Sequence, residues 1–159
     1  QPQTPSNRRS IWNVKWNVVF PIFIIKIMAA GRYSFVIEQG ATTNFEIQYK
    51  DSNSSPIDLT GYSGRLQIKS TYAQNSGELY LTLSSSLNSD GTGLNFSGSN
   101  GSTPPTSGSI GIYIAACTSS ALTFNEAVYD LEIYSGSGDC PYTVRLLEGR
   151  VQLSKQVTT

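Results

Sequence analysis

Tyr129-Asp130-Leu131-Glu132-Ile133-Tyr134 and, after a Gly/Ser turn, Val144-Arg145-Leu146-Leu147-Glu148-Gly149-Arg150-Val151-Gln152-Leu153-Ser154 decide the fold of this chain. Apolar residues alternate at Tyr129, Leu131 and Ile133 and again at Val151 and Leu153, the period-two signature of strands with one buried face. Ser135-Gly136-Ser137-Gly138-Asp139 between them can only turn, so the pair reads as a β-hairpin closing a sheet. On this reading Asp130 and Glu132 are the solvent-facing half of the alternation, and Arg145 and Arg150 are available as cross-strand partners.

The same period runs back toward the N-terminus. Tyr33, Phe35 and Ile37 alternate, Gly40 and Ala41 break, and Phe45, Ile47 and Tyr49 alternate again. A polar turn from Lys50 to Pro56 leads through Ile57 to Tyr62 into a strand with Leu66 and Ile68 on one face and Arg65, Gln67 and Lys69 on the other. Leu79, Leu81 and Leu83 form a further strand. The segment from Ser84 to Ser109 reads as soft, with an Asp90-Gly91 turn, one short strand at Leu94-Asn95-Phe96 and a stop at Pro104-Pro105. Ile110, Ile112 and Ile114 restore the alternation. The only helix expected is a single turn near residues 118–123, with a Thr or Ser oxygen capping it. The sum is an all-β chain of about eight or nine short strands, favouring a two-layer antiparallel sandwich over a closed barrel, which pattern alone leaves open.

Composition divides the chain. Residues 1–27 hold both tryptophans, Trp12 and Trp16, and the basic residues Arg8, Arg9, Lys15 and Lys26 with no acid, so the zero net charge conceals an acidic body. Residues 28–159 are expected to be a single domain, and their 7 Lys or Arg against 11 Asp or Glu disfavour a nucleic-acid partner. Residues 1–27 are read as a translated leader outside the native protein, since Met28 is the only methionine and Met28-Ala29-Ala30-Gly31 has the form of a start. A secretory signal is the alternative, with Asn7-Arg8-Arg9 before the apolar run Val18 to Ile25, and a structural arm is the third reading. That run is too short for a membrane span of ~20 residues.

Chemistry-bearing motifs are sparse. Without histidine the chain lacks the commonest general base and neutral metal ligand. No nucleophile-elbow or phosphate-cradling motif occurs, so an enzyme is not expected and no catalytic, cofactor-binding or metal residue is nominated. Three carboxylates carry the contrary case: Asp130 and Glu132 share a face and Glu148 lies on the strand paired with theirs, a grouping that glycan hydrolysis can use. Asn88, Asp90 and Asn95 around Gly91 and Gly93 invite calcium, but their spacing misses the calcium-loop pattern. Cys117 and Cys140 are read as free thiols, with Cys117 a small core filler; in an exported chain they become candidates for a bridge. Tyr62, Tyr72, Tyr80, Tyr113, Tyr134 and Tyr142 suit sugar stacking, yet strands favour tyrosine in any case.

Several phrases resemble small immunoglobulin-like β-sandwich virion proteins of tailed bacteriophages, notably the N-terminal domain of upper-baseplate proteins that dock receptor-binding modules. They are the Tyr129-Asp130-Leu131-Glu132 strand, the strand from Arg145 to Val151, the Gln39-Gly40 turn, Asp58-Leu59-Thr60-Gly61, and the turn from Ser119 to Leu122. The likeness covers nearly all of residues 30–158. It implies an immunoglobulin-like sandwich and a virion structural protein of the tail or baseplate, an adaptor or decoration subunit assembled in the host cytoplasm. Its implied partners are other virion proteins and further copies of itself, with no cofactor, nucleic acid, membrane or small-molecule substrate. The rival expectation is a secreted or surface-displayed binding module, carbohydrate being one candidate ligand.

Overall fold

The C-terminal hairpin forms as expected, from β8 (Glu126–Ser135) and β9 (Tyr142–Ser154), the longest strands among the described residues. The computed structural model describes residues 30–73, 75–136, 139 and 141–158; the leader, Met28 and Cys140 lie outside them. β4 (Ser63–Lys69) pairs antiparallel with β8, and β5 (Leu79–Ser84) with β4. On the far side of β9 lie β1 (Gly31–Arg32) and β2 (Phe35–Glu38), and both run parallel to it. The otherwise antiparallel sandwich therefore carries a parallel edge, a feature that alternation does not report. The second layer is β3 (Thr43–Gln48), β7 (Ser109–Ile114) and β6 (Gly93–Asn95), in the order β3-β7-β6.

Placed on the immunoglobulin plan, β9-β8-β4-β5 stand as strands G, F, C and C′, and β3, β7 and β6 as B, E and D. The fold is an immunoglobulin-like β-sandwich, and it departs from the constant-type plan at its start. There the first strand lies beside B; here β1 and β2 both lie beside β9, so the smaller sheet ends at β3.

The core lies between the sheets. Leu66, Ile68, Leu131, Ile133, Val151 and Leu153 project into it from the large sheet and Leu94, Ile110, Ile112 and Ile114 from the small one. Each such side chain contributes about 1.5–3 kcal/mol by leaving water. Tyr129 is buried among them, and its hydroxyl donates to the Tyr33 carbonyl oxygen at 2.8 Å. Gly149 makes this contact feasible, because a Cβ there would collide with that same carbonyl. The strand is interrupted between β1 and β2 at Tyr33-Ser34, where the Tyr33 carbonyl meets the Tyr129 hydroxyl.

Two local expectations need correction. The helix α1 spans Ala116–Ser120, and its N-cap is Ala115, without a side-chain cap. Ser119 serves elsewhere, since its buried hydroxyl accepts from the Gly40 N–H at 3.1 Å and donates to the Ala41 carbonyl at 2.8 Å, tying the β2–β3 turn to α1. A second short helical element, a 3-10 turn at Pro105–Ser107, occupies the expected stop. Nor is the Ser/Gly-rich segment soft throughout. The backbone after Phe96 lies across the outer face of β7 over Gly111, where an added Cβ would come within 2.7 Å of Gly98 and Ser99 backbone atoms. Ser99 N–H then donates to the Glu46 carboxylate at 2.8 Å, latching the loop to β3. That bond, with those from Ser109 and the Ser99 hydroxyl, holds the Glu46 carboxyl below its ordinary value.

Candidate functional site

The outer face of the large sheet gathers the carboxylates singled out in the sequence. A regular strand would put Arg145 and Glu148, three residues apart, on opposite faces. The β8–β9 register shifts at this point, with Leu131 opposite Leu147 but Glu132 opposite Arg145, so Leu146 is the extra residue of a β-bulge. The bulge turns Arg145 and Glu148 to the same side. Arg145 then reaches Asp130 at 3.4 Å, Glu132 at 3.6 Å and Glu148 at 4.0 Å. Arg65 adds a second contact to Glu132 at 3.5 Å, and Arg32 one to Glu148 at 3.4 Å. Arg150, expected to serve the same carboxylates, pairs with Glu126 at 4.0 Å instead.

Asp130, Glu132, Arg145 and Arg65 line a groove of about 260 Å³ whose lining also includes Gln67, Lys69 and Tyr72. Tyr72, on the loop after β4, spans β8 to donate its hydroxyl to the Gly149 carbonyl at 2.9 Å. Burial, and then the charge of Glu132, push the Asp130 carboxyl above its ordinary value, while Arg145, Lys69 and Arg65 oppose the rise. A raised carboxyl in a groove is the profile of a general acid. The geometry argues otherwise. Asp130 and Glu132 are two residues apart on one face of one strand, side by side rather than across a cleft, and the same guanidinium holds both. Such a ladder organises the surface as an alternation of opposite charges.

The calcium reading dissolves for a local reason. Asp90 accepts from the Thr118 hydroxyl at 2.7 Å, the Thr92 N–H at 2.9 Å and the Cys117 thiol at 3.5 Å. These bonds, the Thr118 hydroxyl first among them, take its carboxyl down to about 2. Asn95 is spent on the Ser97 N–H at 2.9 Å. Among the described residues no cluster of three or more acidic, Cys or His side chains could hold a metal ion. Cys117 is exposed rather than a core filler.

The tyrosines do not form one platform, although Tyr142 and Tyr62 both lie near enough to Tyr49 to help burial raise its hydroxyl above its ordinary value. Tyr62 and Tyr80 pack against the core, Tyr80 with Phe124 at 4.9 Å between ring centroids, while Tyr72 and Tyr142 are exposed. The ring cluster that does form, Tyr33, Phe35, Phe45 and Tyr129, straddles the seam between the two sheets. The phrases behind the family resemblance have structural roles. Gln39 donates to the Leu122 carbonyl at 2.8 Å and accepts from the Gln156 N–H at 3.1 Å, and Asp58 accepts from the Thr60 N–H at 2.8 Å around buried Leu59.

The chain matches no protein-family model and no curated protein. No described helix is long and apolar enough to cross a membrane.

Proposed function

We propose that this chain is a structural subunit of a tailed-bacteriophage virion, a tail or baseplate adaptor or decoration protein that works through protein–protein contacts. The observation that carries the reading is the outer face of the large sheet. Its carboxylates Asp130, Glu132 and Glu148 are all spent on arginines, leaving a charge-balanced surface suited to registering a neighbour. The sequence resemblance points the same way. The sandwich is a rigid brick whose recurrent phrases stabilise its turns, as a repeated building unit requires.

Mass spectrometry of tailed particles, purified on a density gradient from the source culture, tests this. The expected result is peptides of this chain at a fixed ratio to other tail proteins. Peptides confined to the secreted or surface fraction would reject it in favour of a binding module. That second reading draws on the groove under Tyr72, and a glycan that binds the wild type but not Tyr72→Ala would establish it.

A further inference from the structure

Among the described residues the sandwich has four edges, and three are guarded. The β1/β2 edge is broken at Tyr33-Ser34. β5 shifts register between Ile68 and Lys69 of its neighbour, a bulge of the kind that blunts edges. β6 has only 3 residues. β3 has no break, bulge or shortening: its 6 residues pair with β7 in unbroken register and include neither Lys nor Pro, and its one charge, Glu46, is held by the Ser99 N–H.

The free groups of β3 can be assigned. The Tyr49 N–H donates to the Gly108 carbonyl at 2.8 Å, continuing the β3–β7 ladder by one pair. In an antiparallel ladder, alternate residues turn their backbone groups inward. Thr43, Phe45 and Ile47 therefore bond to β7, and Asn44, Glu46 and Gln48 present N–H and C=O to the open side. Beside that edge lie the half-buried Phe45 and Ile47, with the Tyr33 ring, 48% exposed, centred 5.9 Å from that of Phe45. This is the place that the first strand occupies in the constant-type plan, and that β1 and β2 leave by pairing with β9.

We propose that the β3 edge docks a second copy of this chain, β3 against β3 and antiparallel across a twofold axis, joining two three-stranded sheets into one of six. The strand is self-complementary in one register. Because the open groups belong to even-numbered residues, the axis centres on Phe45, Glu46 or Ile47. Centring on Glu46 sets two carboxylates face to face. Centring on Ile47 drives Asn44 beyond the end of the copy's strand at Gln48. Centring on Phe45 keeps Thr43 to Ile47 paired within β3, sets each Asn44 amide against Glu46 of the second copy, and lays the two Phe45 rings together beside Tyr33. A six-residue edge buries less than the ~1,200 Å² of a standing dimer, so the pairing is weak and dependent on concentration, strengthened wherever copies are arrayed.

The inference rests on the protein–protein reading above for its purpose, but its test is separate. Sedimentation velocity on the full 159-residue chain from roughly 10 µM to roughly 1 mM should show the average mass rising toward a dimer. Asn44→Pro removes an open-edge N–H and leaves the β7 ladder intact; it should raise the dissociation constant about tenfold or more. Asn44→Asp faces Glu46 of the second copy and should weaken pairing about threefold, whereas Asn44→Lys should strengthen it about as much, both effects fading with salt. A monomer throughout, a dimer indifferent to Asn44→Pro, or Asp and Lys shifting it in the same direction would each overturn the proposal. A chain absent from particles that still dimerises through Asn44 ends the virion reading alone; a monomer found in particles ends the edge proposal alone.

Discussion

The two sheets finish their outer faces by opposite means. The large sheet turns side chains to water and balances them, with Arg145 at the centre of three carboxylates. The small sheet is covered by backbone, which passes over Gly111 because no side chain stands there and is held by Glu46. A face made of exposed ion pairs tolerates change, since each pair is worth about 0–1 kcal/mol. A face made of close backbone contact does not, because neither side can yield.

The contrast can be broken most severely at the hairpin. Deleting Leu146 removes the bulge but leaves Leu131 opposite Leu147 and Glu132 opposite Arg145, so both halves of β9 keep their facing and what is lost is one buried leucine side chain and the local twist. The loss is expected to be about 3–5 kcal/mol, read in the urea midpoint, with unfolding still cooperative. Gly111→Val comes next. Strand propensity alone favours valine, but its Cβ meets the Gly98 and Ser99 backbone at 2.7 Å, so a net loss of about 2–3 kcal/mol is expected in the urea midpoint, and a gain would show that the loop is not seated. Arg145→Ala, on the tolerant face, should stay within about 1 kcal/mol of wild type, its guanidinium being half exposed.

The smallest effect is a pH dependence. The Asp90 carboxyl lies lower in the folded chain than in the unfolded one, so its contribution is present above the ordinary carboxyl range and is lost as pH falls from 3.8 toward about 2. Asp130 is raised and acts in the opposite sense. Thermal unfolding of Asp90→Asn compared with wild type between pH 5 and pH 2.5 therefore isolates the Asp90 share: the wild type should lose its advantage toward acid, and parallel curves would contradict the Thr118 and Thr92 bonds.

The strands were legible wherever one face met the core, since Leu66, Ile68, Leu131 and Ile133 project to one side with period two. The grouping of Asp130, Glu132 and Glu148 was legible for the same reason. What escaped was whatever depends on a break in period or on an absent side chain. The adjacent Leu146 and Leu147 interrupt the alternation and were the available signal for the bulge that brings Arg145 to Glu148. The packing over Gly111 had no such signal, because a glycine in a strand reads equally as weakness or as a close approach. The parallel seat of β1 and β2 is set by long-range pairing, to which local pattern is blind. A Thr or Ser in the run from Thr118 to Ser120 read as a helix cap because the type suits one; the tie of Ser119 to Gly40 and Ala41 depends on a turn 78 residues away from it.

Residue-resolved hydrogen–deuterium exchange in dilute protein bears most directly on the claim that β8 is paired on both sides within the large sheet while, among the described residues, the small sheet ends open at β3. Amides of β8 should be protected along the strand, whereas in β3 protection should alternate, with Phe45 and Ile47 slow and Asn44, Glu46 and Gln48 exchanging as freely as a loop. Uniform protection across β3 in the dilute monomer would contradict it, showing that this edge is already covered from within the chain.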